Sequence, residues 1–527
     1  MINVKKTALI TAIILAICFS AFSVNAAEIH RYPTLSDRVK TQKAIKKSFR
    51  TSDSSLPSKY SSKDLGYCTS VKDQIGSTCW SYASLSSYET ILLMKGLFSG
   101  DLSVPALDLW GTTQSDGNGW IRDQRQPGST YIPIGNFTSW SGPLKNEGDT
   151  PTLGVTELTY LDKGDFSGIK KAVMRSGAVT ANLLNYTRAY SKNRNCYCLT
   201  DEISHNEGHT VSIVGWDDNF DKSNFDGNYT PENDGAWLCK NSWGTAFNQI
   251  GGYCWISYED FYLLSNDYFD PSFAIDKIRV LKNTDHIYQN EIYGATYEFS
   301  YIKEDDITYF NVFDFSEDGN VLEKVVFEST AVGAGYKVYS VPLNNNDKPV
   351  PDENKWTLLG EGTIDHNGYI CCETGNKILR RNKQAIAVQI NTEDTDSENS
   401  IGVSEWLRDI DTKEMIFQCP VEEGKSYVTF EGAVVDIKDY YADEMDDNIG
   451  GTLVIKAITN RVTKAKYLGD IDLNSTINIK DATQLQKYLA DIIKLSDDAK
   501  NNADFNTDGK INIKDATAIQ RSIAKMD

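Results

Sequence analysis

From residue 56 onward the hydrophobic positions fall into three textures. The run WSYASLSSYETILLMKG (Trp80–Gly96) places apolar or aromatic residues at helical spacing and stops at a glycine, which predicts a capped helix. IKKAVMRSGAVTANLL (Ile169–Leu184) reads as a helix, a glycine break and a strand. TVSIVGW (Thr210–Trp216), AWLCKNSW (Ala236–Trp243) and GYCWISY (Gly252–Tyr258) are rich in β-branched and aromatic residues and read as strands. A helical part followed by a strand-rich part makes an α+β unit over residues 56–266. From 272 to 458 the runs shorten to ATYEFSYI, ITYFNVFDF, YKVYSV, AIAVQI, SYVTFEG and GTLVIKAI, separated by acidic and Asn/Gly turns. That is the pattern of an all-β, sandwich-like unit. Residues 468–527 hold a gapless direct repeat.

Length and charge narrow the partners. A chain of 527 residues is too long for one core, and roughly three folded units is the ordinary expectation. A net charge of -20 repels polyanions, so nucleic acid and anionic membrane are excluded as main partners. Lys5 and Lys6, the apolar stretch Ala8–Phe22 and the small residues ending at Ala26 have the form of a secretory signal, predicting cleavage near Ala26–Ala27. The apolar stretch falls short of the roughly 20 residues of a spanning helix. Residues 1–26 are therefore expected to be a signal peptide, and 27–55 a polar leader or short pro-segment. Nine cysteines remain: Cys68, Cys79, Cys196, Cys198, Cys239, Cys254, Cys371, Cys372 and Cys419. Export permits disulfides, and an odd number leaves at least one thiol unpaired within the chain. Their spacing lacks the paired framework of a zinc site.

The repeat aligns DIDLNSTINIKDAT (Asp470–Thr483) with DFNTDGKINIKDAT (Asp504–Thr517). Each copy presents oxygen side chains at loop positions 1, 3, 5, 9 and 12, as a calcium loop requires. These are Asp470, Asp472, Asn474, Asn478 and Asp481, then Asp504, Asn506, Asp508, Asn512 and Asp515, with the carbonyls of Thr476 and Lys510 at position 7. Hard oxygen donors suit Ca2+, and two copies imply two ions. Ser475 stands where the second copy has Gly509, which predicts a weaker first site. An amphipathic helix follows each loop. The region from Leu468 to Ala524 resembles a type I dockerin, the duplicated calcium module that binds cohesin domains of cellulosomal scaffolds. The resemblance implies a cohesin partner read by Ile479, Lys480, Ile513 and Lys514. Because the two pairs are identical, binding in two orientations is expected.

A nucleophilic thiol needs a base within reach and a group to orient that base. Among the five histidines, His209 opens a predicted strand 130 residues after Cys79, and Asn241 follows 32 residues later. Cys79 sits at the start of the predicted Trp80 helix, where the helix field favours a thiolate. Gln74, five residues before it, carries an amide N–H suited to an oxyanion, with the backbone N–H of Cys79 as a second donor. VKDQIGSTCWSYAS, NEGHTVSIVGW and KNSWGTAFNQIGGYCWISY together resemble the papain-like cysteine peptidases, in the order and spacing of that family. The resemblance implies a two-lobed catalytic domain needing no catalytic cofactor. Cys79 would be the nucleophile, His209 the base and acid, Asn241 its orienter, and Gln74 the oxyanion donor, with Trp243 shielding the Asn–His contact. Two departures stand out. The segment between Gln74 and Cys79 is one residue short and lacks the family's extra cysteine, and the leader is too short for the usual inhibitory pro-domain.

HIYQNEIYG (His286–Gly294) is similar to the opening of the lectin-like β domain that follows bacterial peptidases of this kind. The whole chain is thus expected to be a secreted, extracellular cysteine endopeptidase acting on protein or peptide substrates and docked to a cellulosome-type scaffold. The competing reading is a scaffold-borne binding or inhibitory protein with an inactive papain-like domain.

Overall fold

In a computed structural model the described residues are 55–204, 207–301, 305–315, 320–379, 382–408, 415–430, 432–439, 451–461, 468–474, 476–496, 499–500, 502–506 and 510–524. The expected signal peptide and nearly all of the leader lie outside them, as does Asp508. The first long helix, α1 (Cys79–Met94), starts one residue before the predicted one. It is buried on almost every face, from Trp80 to Leu92, as a helix between two layers must be. Its small polar residues make this possible. Ser84 Oγ donates to the Trp80 carbonyl at 2.7 Å and Thr90 Oγ1 to that of Ser86 at 2.8 Å, so these two buried hydroxyls are satisfied within the helix. Trp80, Leu85, Tyr88, Ile91 and Leu92 share a core with the helices α2 (Val104–Trp110) and α3 (Tyr131–Thr138).

Behind α1 stands a sheet built from β1 (Lys59–Ser61), β3 (Leu153–Leu161), β4 (Val179–Leu184), β5 (Cys196–Tyr197), β6 (Gly208–Asp217), β7 (Ala236–Lys240), β8 (Tyr253–Ser257) and β9 (Ser272–Val280); the short β2 (Gly119–Trp120) lies elsewhere. The order is β3-β9-β4-β6-β7-β8-β5, with β1 on the edge of β6. The three runs read as strands become β6, β7 and β8, and the glycine break at Gly177 separates helix α4 (Phe166–Ser176) from β4. Ser212 Oγ on β6 donates to the Ala83 carbonyl at 2.9 Å and Thr180 Oγ1 on β4 to Ser87 Oγ at 2.9 Å, which seats α1 on the sheet.

The β-rich part is a sandwich. One layer is a six-stranded sheet with Lys383–Asn391 and Asp306–Asp314 at its centre. The other continues the peptidase sheet, because Gly368–Ile378 pairs with β3 through Gly368↔Thr159 and Tyr369↔Leu158. Asn320–Ser329, Ile455–Arg461 and Asp285–Tyr288 extend it further. A second junction pairs β2 with Met415–Gln418, setting Trp120 opposite Phe417. One apolar core accordingly holds Trp80, Ile132 and Leu158 together with Val326, Tyr369, Phe417 and Val454. At the C-terminal end α5 (Ile479–Leu489) and α6 (Ile513–Ile523) pack around Ala482, Leu485, Ala516 and Ile519. Among the described residues no helix is long and apolar enough to cross a membrane.

The junction at Gly368 is tight. Its φ is 123°, and a Cβ there would lie 2.3 Å from the Leu158 carbonyl oxygen. Gly368→Ala is expected to cost about 1–3 kcal/mol and to lower the first thermal transition of the full chain; calorimetry against wild type checks this.

Candidate active site

Cys79 is the first helical residue of α1, so its own N–H has no acceptor within the helix and is free to face a ligand. β6 brings His209 to it from the other layer, on the second residue of the strand. Asn241 follows directly on β7, and its side chain reaches the imidazole: His209 Nε2 lies 2.8 Å from Asn241 Oδ1. The backbone N–H of Ser242 donates to the same Oδ1 at 2.7 Å, which identifies that atom as the amide oxygen. Nε2 must therefore carry the hydrogen, leaving Nδ1 for the hydrogen bond that His209 makes with Cys79. Trp243 stacks on the ring, with centroids 4.4 Å apart and planes 25° from parallel. Both His209 and Asn241 are 5% exposed.

Burial pushes the Cys79 thiol up, but the hydrogen bond and charge of His209, with further bonds from Thr210, outweigh it and hold the thiol below its ordinary value. For His209 burial acts downward, while the bond to Cys79, its charge, the bond to Asn241 and the charge of Glu207 raise it above the ordinary histidine range. The two shifts favour one state, thiolate beside imidazolium. Every other cysteine with a resolved shift is pushed up by burial, including Cys68, Cys196, Cys239 and Cys419. All nine described cysteines are free thiols.

Gln74 sits beside this group. Its backbone N–H donates to the Ser242 carbonyl at 2.7 Å, and its side-chain Oε1 accepts from Ser242 Oγ at 2.7 Å. Its Nε2 donates to the Gly76 carbonyl at 2.9 Å, which occupies one of the two amide hydrogens within the short turn. Ser242 and Thr210 escaped the sequence reading. Ser242 works partly through its backbone and Thr210 through its backbone and one small hydroxyl, neither of which a residue-type search selects.

Three segments that carry these groups meet at one buried carboxylate. Glu89 on α1 accepts from Lys72 Nζ at 2.8 Å, from Thr69 Oγ1 at 2.5 Å and from the Leu102 N–H at 2.8 Å. Lys240, directly before Asn241, donates to Thr69 Oγ1 at 2.9 Å. Burial pulls the Lys240 amine down to about 8, against the opposing charge of Glu89.

In the C-terminal repeat, ligand oxygens of Asp470, Asp472 and Asp481 lie within 4.8 Å of one another. Asp481 is fully buried, and burial followed by the charges of Asp481 and Asp470 pushes the Asp472 carboxyl up. Converging carboxylates of this kind suit a hard divalent cation. Asn478 Nδ2 donates to the Thr476 carbonyl at 3.1 Å, and Asn512 Nδ2 to that of Lys510 at 3.0 Å, so the two loops share this contact. Each loop closes on its helix by a capping box, Asn478 with Asp481 and Asn512 with Asp515. Asp504 and Asn506 open the second loop, while Asp508 is not among the described residues. Ile479 and Ile513 begin the two helices, 56% and 58% exposed, each followed by its lysine.

Residues 141–266 match the family model of papain family cysteine proteases, residues 287–459 that of the lectin like domain, and residues 468–524 that of the dockerin type I domain. Among solved structures, the propeptide-cleaved clostridial cysteine protease Cwp84 is 32% identical, with a TM-score of 0.67, over 77% of this chain and 100% of that one. The cysteine protease and lectin-like domains of Cwp84, a surface layer associated protein of Clostridium difficile, are 30% identical with a TM-score of 0.69, over 83% and 99%. No curated protein sequence matches the chain. The chain belongs to the papain family of cysteine proteases, with a lectin-like β domain and a type I dockerin following the peptidase domain. Type I dockerins are generally calcium-binding and imply a cohesin partner.

Cys79→Ala removes the two largest influences that raise His209, the bond to Cys79 and its charge, while leaving its burial. The imidazole is expected to titrate lower than in wild type; an NMR titration of His209 tests the sign.

Proposed function

We propose that the chain is a secreted cysteine endopeptidase in which Cys79 is the nucleophile, His209 the acid and base, Asn241 the orienter and Gln74 an oxyanion donor. The observation that carries this reading is the His209 ring, tied through Nε2 to Asn241 and through its other nitrogen to a thiol whose pKa is lowered. The thiolate attacks the peptide carbonyl, forming the C–S bond as the carbonyl electrons move onto oxygen. The backbone N–H of Cys79 and the second hydrogen of Gln74 Nε2 stabilise that oxyanion. As the C–N bond breaks, the imidazolium gives its proton to the leaving amine. Neutral His209 then takes a proton from water, which attacks the thioester and releases the acid and the thiolate.

In this reading the peptidase unit spans residues 56–266, the β domain 272–458 and the dockerin 468–527, with a signal peptide over 1–26. Two calcium ions would be held, one by Asp470, Asp472, Asn474, Thr476, Asn478 and Asp481, the other by Asp504, Asn506, Asp508, Lys510, Asn512 and Asp515. Each ion would neutralise its carboxylates and fix the start of its helix, presenting Ile479–Lys480 and Ile513–Lys514 to a cohesin. The enzyme would then act outside the cell, held on a scaffold.

The pH window follows from the two shifts. Activity is lost in acid as Cys79 protonates below its lowered pKa, and in alkali as His209 loses its proton above its raised one. Cys79→Ala is expected to abolish casein cleavage while leaving thermal unfolding within a few degrees of wild type. Residual cleavage at the wild-type rate would sink the assignment, and failure of wild type to react rapidly with iodoacetamide at mildly acidic pH would favour an inactive papain-like unit.

Calorimetric titration of the decalcified chain is expected to give two ions. Replacing Ile513 and Lys514 by alanine alone should leave cohesin binding through the first pair, and replacing both pairs should abolish it. Loss on replacing the second pair alone would overturn the two-orientation reading.

A further inference from the structure

The turn that precedes the nucleophile is exposed and has no covalent clamp. Ile75, Gly76 and Ser77 all face solvent, and no disulfide holds them among the described residues. The turn nevertheless has a fixed outer partner. Ser77 N–H donates to the Arg125 carbonyl at 2.9 Å, and a Cβ at Gly76 would lie 2.5 Å from that same oxygen. Gly76 is therefore required both by its φ of 73° and by the closeness of the Arg125 backbone.

Arg125 itself sits at φ 65°, a left-handed conformation disfavoured for an arginine. Its side chain is exposed, so the backbone is held by something else. Arg125 N–H donates to Asp108 Oδ2 at 2.8 Å, and the other oxygen of Asp108 pairs with Arg122 Nη2 at 2.7 Å. This ion pair is nearly dry, with 6% and 8% of the two side chains exposed. Arg122 also donates to the carbonyls of Gly111 at 2.9 Å, Gln126 at 2.7 Å and Pro127 at 3.0 Å, and its guanidinium lies 5.0 Å from the Trp80 ring. One guanidinium thus closes the 123–127 loop and packs on the residue next to Cys79.

The loop is anchored at its base as well. Arg122 follows β2 and Ile121, and the Ile121 N–H donates to the Ile416 carbonyl of the lectin-like domain at 2.9 Å. A continuous path of backbone pairing and hydrogen bonds leads from that domain through Arg122, Asp108 and Arg125 to Ser77.

We propose that the buried Asp108–Arg122 pair, adjoining the strand β2 that pairs with the lectin-like domain, is the positioning element of the oxyanion turn. Asp108 and Arg122 are positioning residues: they act by holding the Arg125 carbonyl against Ser77. The lectin-like domain on this view contributes to the rate of the peptidase, beyond any part it takes in attachment. The inference rests on the roles proposed for Gln74 and Cys79.

The test uses the full chain with Arg122→Met, Arg122→Lys and Asp108→Asn. A loosened oxyanion turn costs transition-state stabilisation while the Cys79–His209 pair stays intact. For Arg122→Met, kcat on a peptide amide is expected to fall roughly 10–100-fold with little change in KM. The rate and pH profile of Cys79 alkylation by iodoacetamide, which forms no oxyanion, should stay within about twofold of wild type, and affinity for a peptide aldehyde should fall with kcat. Arg122→Lys, keeping the charge but not the fork, should recover only part of the loss.

A second pair of variants removes the question of folding. Arg125→Val cannot readily hold a positive φ whereas Arg125→Gly can, and both alter an exposed side chain. The valine variant is expected to fall at least about fivefold below the glycine variant in kcat. Equal kcat in these two, or alkylation falling in step with kcat in the Arg122 and Asp108 variants, would overturn the inference. A wild-type chain that neither hydrolyses peptides nor reacts at Cys79 would instead fail the underlying reading.

Discussion

The catalytic half of the molecule depends on a carboxylate that never meets water. Glu89 lies on α1 with 1% of its surface exposed and binds Lys72, Thr69 and the Leu102 backbone, while Lys240 reaches it through Thr69. Lys72 precedes Gln74, Lys240 precedes Asn241, and α1 begins at Cys79. The distances between the three proposed catalytic segments are therefore set by one polar knot. A buried charge is costly unless it is fully partnered, and removing one member of such a group typically costs about 3–5 kcal/mol. The same expense makes the arrangement specific, since no nearby register of helix against sheet would satisfy all four groups.

The β domain adds a second constraint by sharing sheets with the peptidase instead of being tethered by a linker. β9 pairs with β3 across Leu153↔Val280 to Leu161↔Ser272, and Gly368–Ile378 continues the sheet on the other side of β3. Backbone pairing of this kind resists hinge motion along the strand direction, and the common core from Trp80 to Val454 fills the space between. The dockerin helices obey different physics: small cores closed by capping boxes, with acidic loops whose internal repulsion a divalent cation would relieve.

Much of this was legible in the sequence, and the exceptions have identifiable causes. The strands β6, β7 and β8 and the order of Cys79, His209 and Asn241 could be read because β-branched runs and rare reactive side chains carry the signal. Strands such as Thr357–Thr363 and Asn399–Glu405 went unmarked, since glycine, serine and glutamate interrupt their apolar pattern. The all-round burial of α1 was hidden because Ser84, Ser87 and Thr90 look solvent-facing in a binary pattern, yet they bond to helix carbonyls or to β4. The shared sheets left no trace, because strand pairing is a backbone property. Asp108 and Arg122, 14 residues apart, form no motif, and their importance emerges only from what their hydrogen bonds close.

Ser242 has a consequence for how the cleft breathes. Its N–H holds Asn241, its hydroxyl holds Gln74 Oε1, and its carbonyl holds the Gln74 backbone. The group that steers the imidazole and the group offered to the oxyanion are thus referenced to one residue on the sheet side, whereas the sulfur rides on the helix. If the two layers part during substrate entry, Gln74 and the His209–Asn241 couple would travel together, while the sulfur and the Cys79 N–H move with the helix. Closing around a peptide would then bring two bodies together rather than four separate groups.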